Sequence, residues 1–557
     1  MTRSLATLCD GFLNSAERWP DHPALQLGAT TLTYGELQRR ALSIAATLQW
    51  VDRDAAGPAR TAVLGHRDTA AFEGILGALC RGHGYVPLDP LVPVARSRAM
   101  LRRSGARSVI VEAGAVPMLD ELLTESPWGL TVLAPAEPST ALDGLRARLP
   151  DHRFLGVEDL LAPDAWQPTP VEPDAEAYLL FTSGSTCLPK GVRVSHRNVT
   201  SFLDAVAARY APGPEDRFSH TFDLTFDLSV FDLFLAWQAG ACVCCPTATE
   251  KAVPARYIRS AGLTVWFSVP STAVMMSKLR MLEPGAFGGL RHALFCGEGL
   301  PVEVARRFAA AAPGAVLENL YGPTELTVAC TVHRWDPLVS PAQSELGLVP
   351  IGEPYPGMTA RVVDERLREV PDGSTGELLL TGPQRTLGYL DDPELTAAAF
   401  VTLDGASELF YRTGDRVRRL PGGPLVYLGR SDHQVKLKGY RVELGEIEMV
   451  LREVSGSDVA VALGWPRSES GADGVVGFVG HGAEDPEVVR RRAAARLPSY
   501  MQPREVRVVD EWPLNANGKV DRGRLLERLI QERADEERAA SEPLARAESA
   551  AERAVAS

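Results

Sequence analysis

The chain lacks any uninterrupted apolar run of the roughly 18 to 20 residues that a membrane-crossing helix requires, so a helical membrane span is not expected. Met1 to Pro20 scatters Arg3, Asp10, Glu17 and Arg18 among its apolar residues and has no unbroken apolar core of the kind a secretion signal carries. A cytoplasmic location is the expectation. A basic excess is missing too: 58 Lys and Arg stand against 71 Asp and Glu, a net charge of -13. General nucleic-acid binding depends on neutralising phosphates and is argued against, which leaves small molecules or a local docking patch as partners. Cysteine is sparse, 8 in 557 residues; Cys80, Cys296 and Cys330 fall inside apolar runs, as reduced core residues do. The single cluster, Cys242-Val243-Cys244-Cys245, has no second Cys or His pair nearby and reads as a buried strand rather than a metal site. No long internal repeat occurs.

What is present is a 45% hydrophobic, 23% charged composition, that of a soluble globular protein, in a chain too long for one core, so two or more domains are expected. Residues 1 to 110 alternate helical and strand patterns: Leu32-Thr33-Tyr34-Gly35-Glu36-Leu37 leads into a helix and Thr61-Ala62-Val63-Leu64 reads as a buried strand, which favours α/β layers. Gly82-His83-Gly84-Tyr85-Val86-Pro87-Leu88-Asp89-Pro90 reads as a turn. Residues 134 to 175, rich in Pro, Ala, Asp and Glu, read as a loose connection.

That connection ends at Tyr178-Leu179-Leu180-Phe181, followed by Thr182-Ser183-Gly184-Ser185-Thr186-Cys187-Leu188-Pro189-Lys190-Gly191 and then Val192-Arg193-Val194. The pattern is strand, loop and return strand. Hydroxyls, glycines and a lysine so concentrated supply N–H and O–H donors with a positive charge, which suits a polyphosphate. The common P-loop is excluded, because it needs Gly-Lys-Ser/Thr opening a helix. By itself the stretch is equally compatible with a surface hairpin.

Beyond it, Ser195-His196-Arg197-Asn198 opens a helix. In Thr221-Phe222-Asp223-Leu224-Thr225-Phe226-Asp227-Leu228-Ser229-Val230-Phe231, Ser229 is the expected cap of a helix running to about Trp237. Asp227 and Phe231 are four apart and share a face if the helix begins at once; the segment taken alone favours Asp227 as a cap of that helix. Asn319-Leu320-Tyr321-Gly322-Pro323-Thr324-Glu325 follows the apolar strand Ala315-Val316-Leu317, and strand ends are where α/β sheets collect ligands. Tyr411-Arg412-Thr413-Gly414-Asp415, Gly429-Arg430-Ser431-Asp432 and the basic Lys436-Leu437-Lys438-Gly439-Tyr440-Arg441 come next. A domain boundary is expected near Arg430 to Asp432, giving domains 1–430 and 431–530. The second ends with Asn517-Gly518-Lys519, and a polar tail, 531–557, follows.

These motifs, with Leu497-Pro498-Ser499-Tyr500-Met501, resemble in order and spacing those of the adenylate-forming enzymes, and within them the amino-acid adenylation domains of nonribosomal peptide synthesis. The resemblance covers residues 10 to 525. It implies a large N-terminal domain of layered α/β subdomains and a small mobile α+β C-terminal domain. The implied chemistry has two steps: ATP and an amino acid give aminoacyl-adenylate and pyrophosphate, then the acyl group passes to the phosphopantetheine thiol of a carrier protein. By the same resemblance Thr182, Ser183, Gly184, Ser185 and Thr186 grip the β- and γ-phosphates, with Lys190 near the departing pyrophosphate. Glu325 helps hold Mg2+. Asn319 and Tyr321 meet the adenine, Asp415 the ribose, Arg430 the ribose and phosphate side, and Thr324 joins the nucleotide set. Lys519 relieves the repulsion between the attacking carboxylate and the α-phosphate, and Asp432 is the hinge about which the small domain swings.

The resemblance places the amino-acid pocket on Asp227, Leu228, Phe231, Phe267, Leu294, Cys296, Leu320, Val328, Ala329 and Lys519. Asp227 then pairs with the α-amino group, since a buried carboxylate favours a cationic partner and rejects acids without the amine. Between its two charged ends the pocket is apolar and narrowed by Phe231 and Phe267, so polar side chains would lose water without gaining partners. The pattern resembles stand-alone prolyl adenylating enzymes that feed pyrrole formation. L-proline is the leading substrate, with other small apolar amino acids next. Nothing after Arg522 offers a phosphopantetheine-bearing Gly-Gly-x-Ser segment, and residues 1 to 10 leave no room for a condensation domain, so action in trans on a separate peptidyl carrier protein is expected. Acyl-CoA ligation is the rival within the superfamily, and a non-catalytic nucleotide-binding relative the rival outside it. One departure stands out: Cys187 occupies a loop position where the family usually has glycine, which predicts weaker ATP binding or slower loop closure.

Overall fold

Local sequence sets the main helices by reciprocal capping. The Thr33 hydroxyl accepts the Glu36 N–H while the Glu36 carboxylate accepts the Thr33 N–H, opening the helix Tyr34–Val51. Ser195 and Asn198 do the same for His196–Tyr210, where a helix start was expected. The computed structural model describes residues 6–536 and 538, apart from 54–58, 125, 185–188, 431–433, 438, 469–470, 481–483 and 515–519.

The chain divides into two compact units, 1–443 with 467–472, and 444–466 with 473–557. In the larger unit the described residues form a seven-stranded sheet ordered Arg153–Leu155, Thr131–Leu133, Ser108–Val111, Arg60–Leu64, Gly84–Leu88, Glu176–Thr182, Lys190–Ser195. Only the last pair is antiparallel. A nine-stranded sheet has the parallel strands Val265–Ser268, His292–Phe295 and Val316–Tyr321 side by side. A five-stranded antiparallel sheet follows, containing Leu409–Arg419. The helix Thr69–Arg81 is buried from Ala70 to Cys80, the signature of a helix covered on every side. The smaller unit carries the three-stranded sheet Ala460–Gly464, Val475–Gly480 and Pro503–Val509 with the helix Leu444–Ser455. It thus has the α+β character expected, beside the α/β layers of the larger unit.

Three local expectations are corrected. Gly82 to Pro90 is not a turn: Gly82 ends the preceding helix at φ 86, and Gly84–Leu88 is a buried strand. Pro87 is tolerated there because its neighbour on one side, Glu176–Thr182, pairs only at Tyr85↔Tyr178, so the missing N–H is not required. Residues 134 to 175 are more ordered than expected, with the helix Asp143–Arg148 and the strand Arg153–Leu155 closing a sheet edge. Ser229 is not a cap. Asp227 already has helical angles, φ -63 and ψ -20, because the chain begins to wind at Asp223; the helical path runs from Leu228 to Ala239 through a π turn at Phe231–Leu235.

Candidate active site

The residues assigned to the amino-acid pocket come together near the carboxyl ends of parallel strands, where ligands collect in α/β sheets. Phe267 and Leu294 pair directly across adjacent strands, and Cys296 follows Phe295, the partner of Asn319. Leu228, Phe231, Phe267, Leu294, Cys296, Leu320, Val328 and Ala329 are all buried in one core. Phe231 meets Phe267 edge-on at 4.8 Å and is flanked by Phe202, Tyr210 and Phe218 at 6.3, 5.9 and 6.2 Å. The π turn begins at Phe231 itself, so this wall of rings is built at a local widening of the helix.

Asp227 sits among these groups, buried, and makes no side-chain cap. Its Oδ2 has no partner. Burial pushes its carboxyl up to about 6, against the pull of the Thr324 hydroxyl and the Lys436 ammonium. An unpartnered buried carboxylate is costly unless something cationic meets it. It is the expected anchor for an ammonium group.

The opposite side holds the groups assigned to the nucleotide. Asn319 donates its amide to Val349 O and Pro350 O at 3.3 and 2.9 Å. Its buried Oδ1 is left without a partner, a free acceptor for an exocyclic amine. The Tyr321 hydroxyl donates to Asp415 Oδ2, and Arg430 donates to Asp415 Oδ1 and, at 3.1 Å, to Thr413 O. Glu325, 2% exposed, accepts from the Tyr389 hydroxyl at 2.7 Å and pairs with Arg441 at 3.3 Å. Burial alone would raise its carboxyl, but the Arg441 and Lys190 charges outweigh burial and hold it below the usual range.

Thr182 and Lys190 face each other where the two strands leave the loop. The Ser183 hydroxyl donates to Arg441 O at 2.7 Å and accepts from Glu443 N–H at 3.1 Å, while Gly184 is buried beside it. Ser185, Thr186 and Cys187 lie outside the described residues, as do Asp432, Lys438 and Lys519. The residues that flank the last, Leu514 and Val520, form an antiparallel bridge.

The resemblance implied that the Lys438-Gly439-Tyr440-Arg441 loop takes the place of Lys519 beside a thiol tunnel; it did not give the contacts made by the hairpin of Gln434–Leu437 and Tyr440–Glu443. Besides Arg441 on Glu325, Glu443 pairs with Lys190 at 3.4 Å, Gly439 N–H donates to Glu298 at 2.7 Å, and the Tyr440 hydroxyl donates to Asp223 while its ring stacks on Phe226 at 5.5 Å. A Cβ on Gly439 would stand 2.4 Å from Val269 Cγ1, and its φ is +89; only glycine fits there. Lys436 lies within electrostatic reach of Asp227, and burial lowers its ammonium below the usual lysine range, with Asp415 resisting. The basic string was visible in the sequence, but its ion pairs join residues more than a hundred positions apart. Among the described residues no group of three or more His, Cys, Asp or Glu could hold a metal by itself. The donor set nonetheless fits Mg2+, which is commonly held by one or two carboxylates together with phosphate oxygens and water: Glu325 would supply one such carboxylate.

Residues 12–390 match the model of the AMP-binding enzyme family, and 446–519 that of the AMP-binding enzyme C-terminal domain. The chain is 35% identical over 532 residues to phosphinothricin tripeptide synthetase PhsC of Streptomyces viridochromogenes, covering 93% of this chain but 45% of that protein. It therefore spans less than half of that relative's length. It is 32% identical over 539 residues to a D-alanine--D-alanyl carrier protein ligase of Bacillus velezensis, covering 94% of this chain and 99% of the ligase. Among solved structures, the adenylation domain AlmE of Vibrio cholerae in complex with glycyl-adenosine-5'-phosphate superposes with a TM-score of 0.83 at 30% identity, covering 95% and 99% of the two chains.

Proposed function

Because the chain belongs to the AMP-binding enzyme family, we propose that it activates a small apolar amino acid, L-proline first among them, with ATP and transfers it to the phosphopantetheine thiol of a separate peptidyl carrier protein, in the cytoplasm and toward pyrrole-type natural products. The observation that carries this reading is the buried Asp227 carboxylate, with its Oδ2 unpartnered, among apolar side chains and aromatic rings. The names of two relatives support the substrate class, since one ligase handles D-alanine and one neighbour holds a glycyl-adenylate.

In the first step Asp227 holds the α-ammonium and the pocket walls fix the side chain, leaving the substrate carboxylate to attack the α-phosphorus of ATP as pyrophosphate departs. Asn319 Oδ1 accepts the adenine amine, Tyr321 stacks on the ring, and Asp415 with Arg430 holds the ribose. Thr182, Ser183, Gly184, Ser185, Thr186 and Thr324 line the phosphate side, and Lys190 meets the leaving pyrophosphate. Glu325 would hold Mg2+, which would supply charge neutralisation on the phosphates. Lys519, carried by the mobile domain 431–530, sits between the two anions; one preorganised contact of this kind is worth about 100- to 1000-fold in rate. The small domain turns about Asp432, the carrier thiolate attacks the acyl carbon, and AMP leaves.

The test is pyrophosphate exchange across the twenty amino acids with the matching desamino acids as controls. L-proline is expected to give the highest rate, desamino acids none, and Lys519→Ala a loss of about 100-fold or more. Exchange driven by a charged amino acid but not by proline overturns the pocket reading; equal use of desamino acids points to acyl-CoA ligation; undiminished exchange in Lys519→Ala removes the mechanism.

A further inference from the structure

A residue assigned to the pocket, Val328, and its neighbour Thr327 stand on a backbone that L side chains avoid. Thr327 and Val328 have φ of 57 and 71; for a β-branched residue this is an unfavourable conformation that persists only when its surroundings impose it. Gln384 supplies the constraint. Gln384, 1% exposed, donates its side-chain amide to Leu326 O, Thr327 O and Ala329 O at 3.3, 3.2 and 2.7 Å. Its main-chain carbonyl accepts the Thr327 hydroxyl at 2.6 Å. On the other side the strained segment presses on Gly322, where a Cβ would lie 2.6 Å from Ala329 Cα.

Gln384 is itself held from behind. Asn198 Nδ2 donates to Pro383 O and Arg385 O at 2.9 and 2.8 Å, while Asn198 Oδ1 caps the helix through Ser195. One residue further, Thr386 N–H donates to Glu325 O at 3.1 Å. A chain of buried hydrogen bonds thus runs from the helix that follows the phosphate loop, through Gln384, to the wall formed by Val328 and Ala329.

We propose that Gln384 is a specificity-setting positioning residue: its amide holds Thr327 and Val328 left-handed, and that conformation fixes where the Val328 and Ala329 side chains close the amino-acid pocket. The inference rests on the proposed pocket. A glutamine suits the task because one amide can serve several carbonyls at once, whereas an apolar side chain of the same length would deprive Leu326 O and Ala329 O of this donor and leave Thr327 O with the Ala329 N–H alone.

The test replaces the donors and keeps the volume, in Gln384→Met, and reads pyrophosphate exchange as separate Michaelis constants. The expected result is an amino-acid KM raised about tenfold, a ranking of proline against alanine and the six-membered ring homologue that flattens, and an ATP KM unchanged within about twofold. Thr327→Gly, which makes the left-handed angle intrinsically easy, is expected to restore the ranking when combined with Gln384→Met. Should Gln384→Met not yield folded protein, Asn198→Asp keeps the helix cap, loses the donors to Pro383 and Arg385, and is expected to shift the amino-acid KM in the same direction by less. Amino-acid and ATP constants moving together, an unchanged ranking, failure of the Thr327→Gly rescue, or an unmoved amino-acid KM in Asn198→Asp overturns the proposal. Failure of the unaltered protein to exchange with any amino acid overturns the pocket reading instead.

Discussion

The two halves of the candidate site treat charge in opposite ways. On the amino-acid side a single carboxylate, Asp227, is buried with one oxygen unpartnered, so a ligand fills a place that nothing else holds. On the phosphate side the protein already answers its own charges: Arg441 stands on Glu325 and Glu443 on Lys190. Mg2+ and phosphate would therefore have to exchange with protein groups. Binding to the first half supplies a partner to a carboxylate oxygen that has none, whereas binding to the second replaces one ion pair by another and gains only a difference. Discrimination belongs where the ligand is irreplaceable, and turnover benefits where it can be displaced.

The largest expected effect breaks the amino-acid half. Asp227→Asn should lower the amino-acid kcat/KM on the order of 1000-fold, as loss of one partner of a buried charge pair does. The same change should stabilise the free protein. A carboxyl raised to about 6 in the fold is fully favourable only below its ordinary value, and that stability is lost as pH rises through about 6. The melting temperature of Asp227→Asn should thus exceed that of the parent by more at pH 7.5 than at pH 5; a gap that closes with rising pH contradicts the assignment.

The second expectation follows from the same group. Ionised Asp227 is the form that receives an ammonium, so log kcat/KM for the amino acid in pyrophosphate exchange should climb about one unit per pH unit below about 6 and level off above it. The Asn variant should lose that limb. Third, Glu443→Gln removes the anion that competes for Lys190, so the Kd of Mg·ATP, measured by calorimetry without amino acid, should fall about three- to tenfold, a range typical of one partly buried ion pair. A weaker Kd would show that Glu443 aids nucleotide binding rather than opposing it. The smallest effect concerns the loop itself: Cys187→Gly should lower the apparent KM for ATP about twofold and leave the substrate ranking untouched, because glycine alone reaches φ > 0 at little cost. Lower activity in that variant would assign the cysteine a role.

Much of this half-and-half plan could be read from the chain. The strand-loop-strand at Thr182 to Lys190 is legible because its hydroxyls, glycines and lysine lie within ten residues, and the helix starts at Thr33 and Ser195 because capping is local. Gly84–Leu88 was hidden because Gly84 and Pro87 interrupt it and more Gly and Pro flank it, and its strand character depends on the distant partner Arg60–Leu64. Asp227 was ambiguous because a cap and a pocket carboxylate look alike in sequence. Gln384 left no signal at all: its partners are 55 to 58 residues away.

What the sequence determined by itself is therefore the inventory and its order: an acidic α/β chain with a hydroxyl-rich loop, a strand-end Asn-Leu-Tyr-Gly-Pro-Thr-Glu and an apolar set of pocket candidates. These depend on residue type and short-range spacing, which the chain carries wherever it is read. Only the tertiary structure decided which charges are paired and which is left waiting, and which buried amide holds the pocket wall in place. Those outcomes depend on desolvation and on contacts between residues far apart in sequence, and neither exists until the strands and loops are packed together.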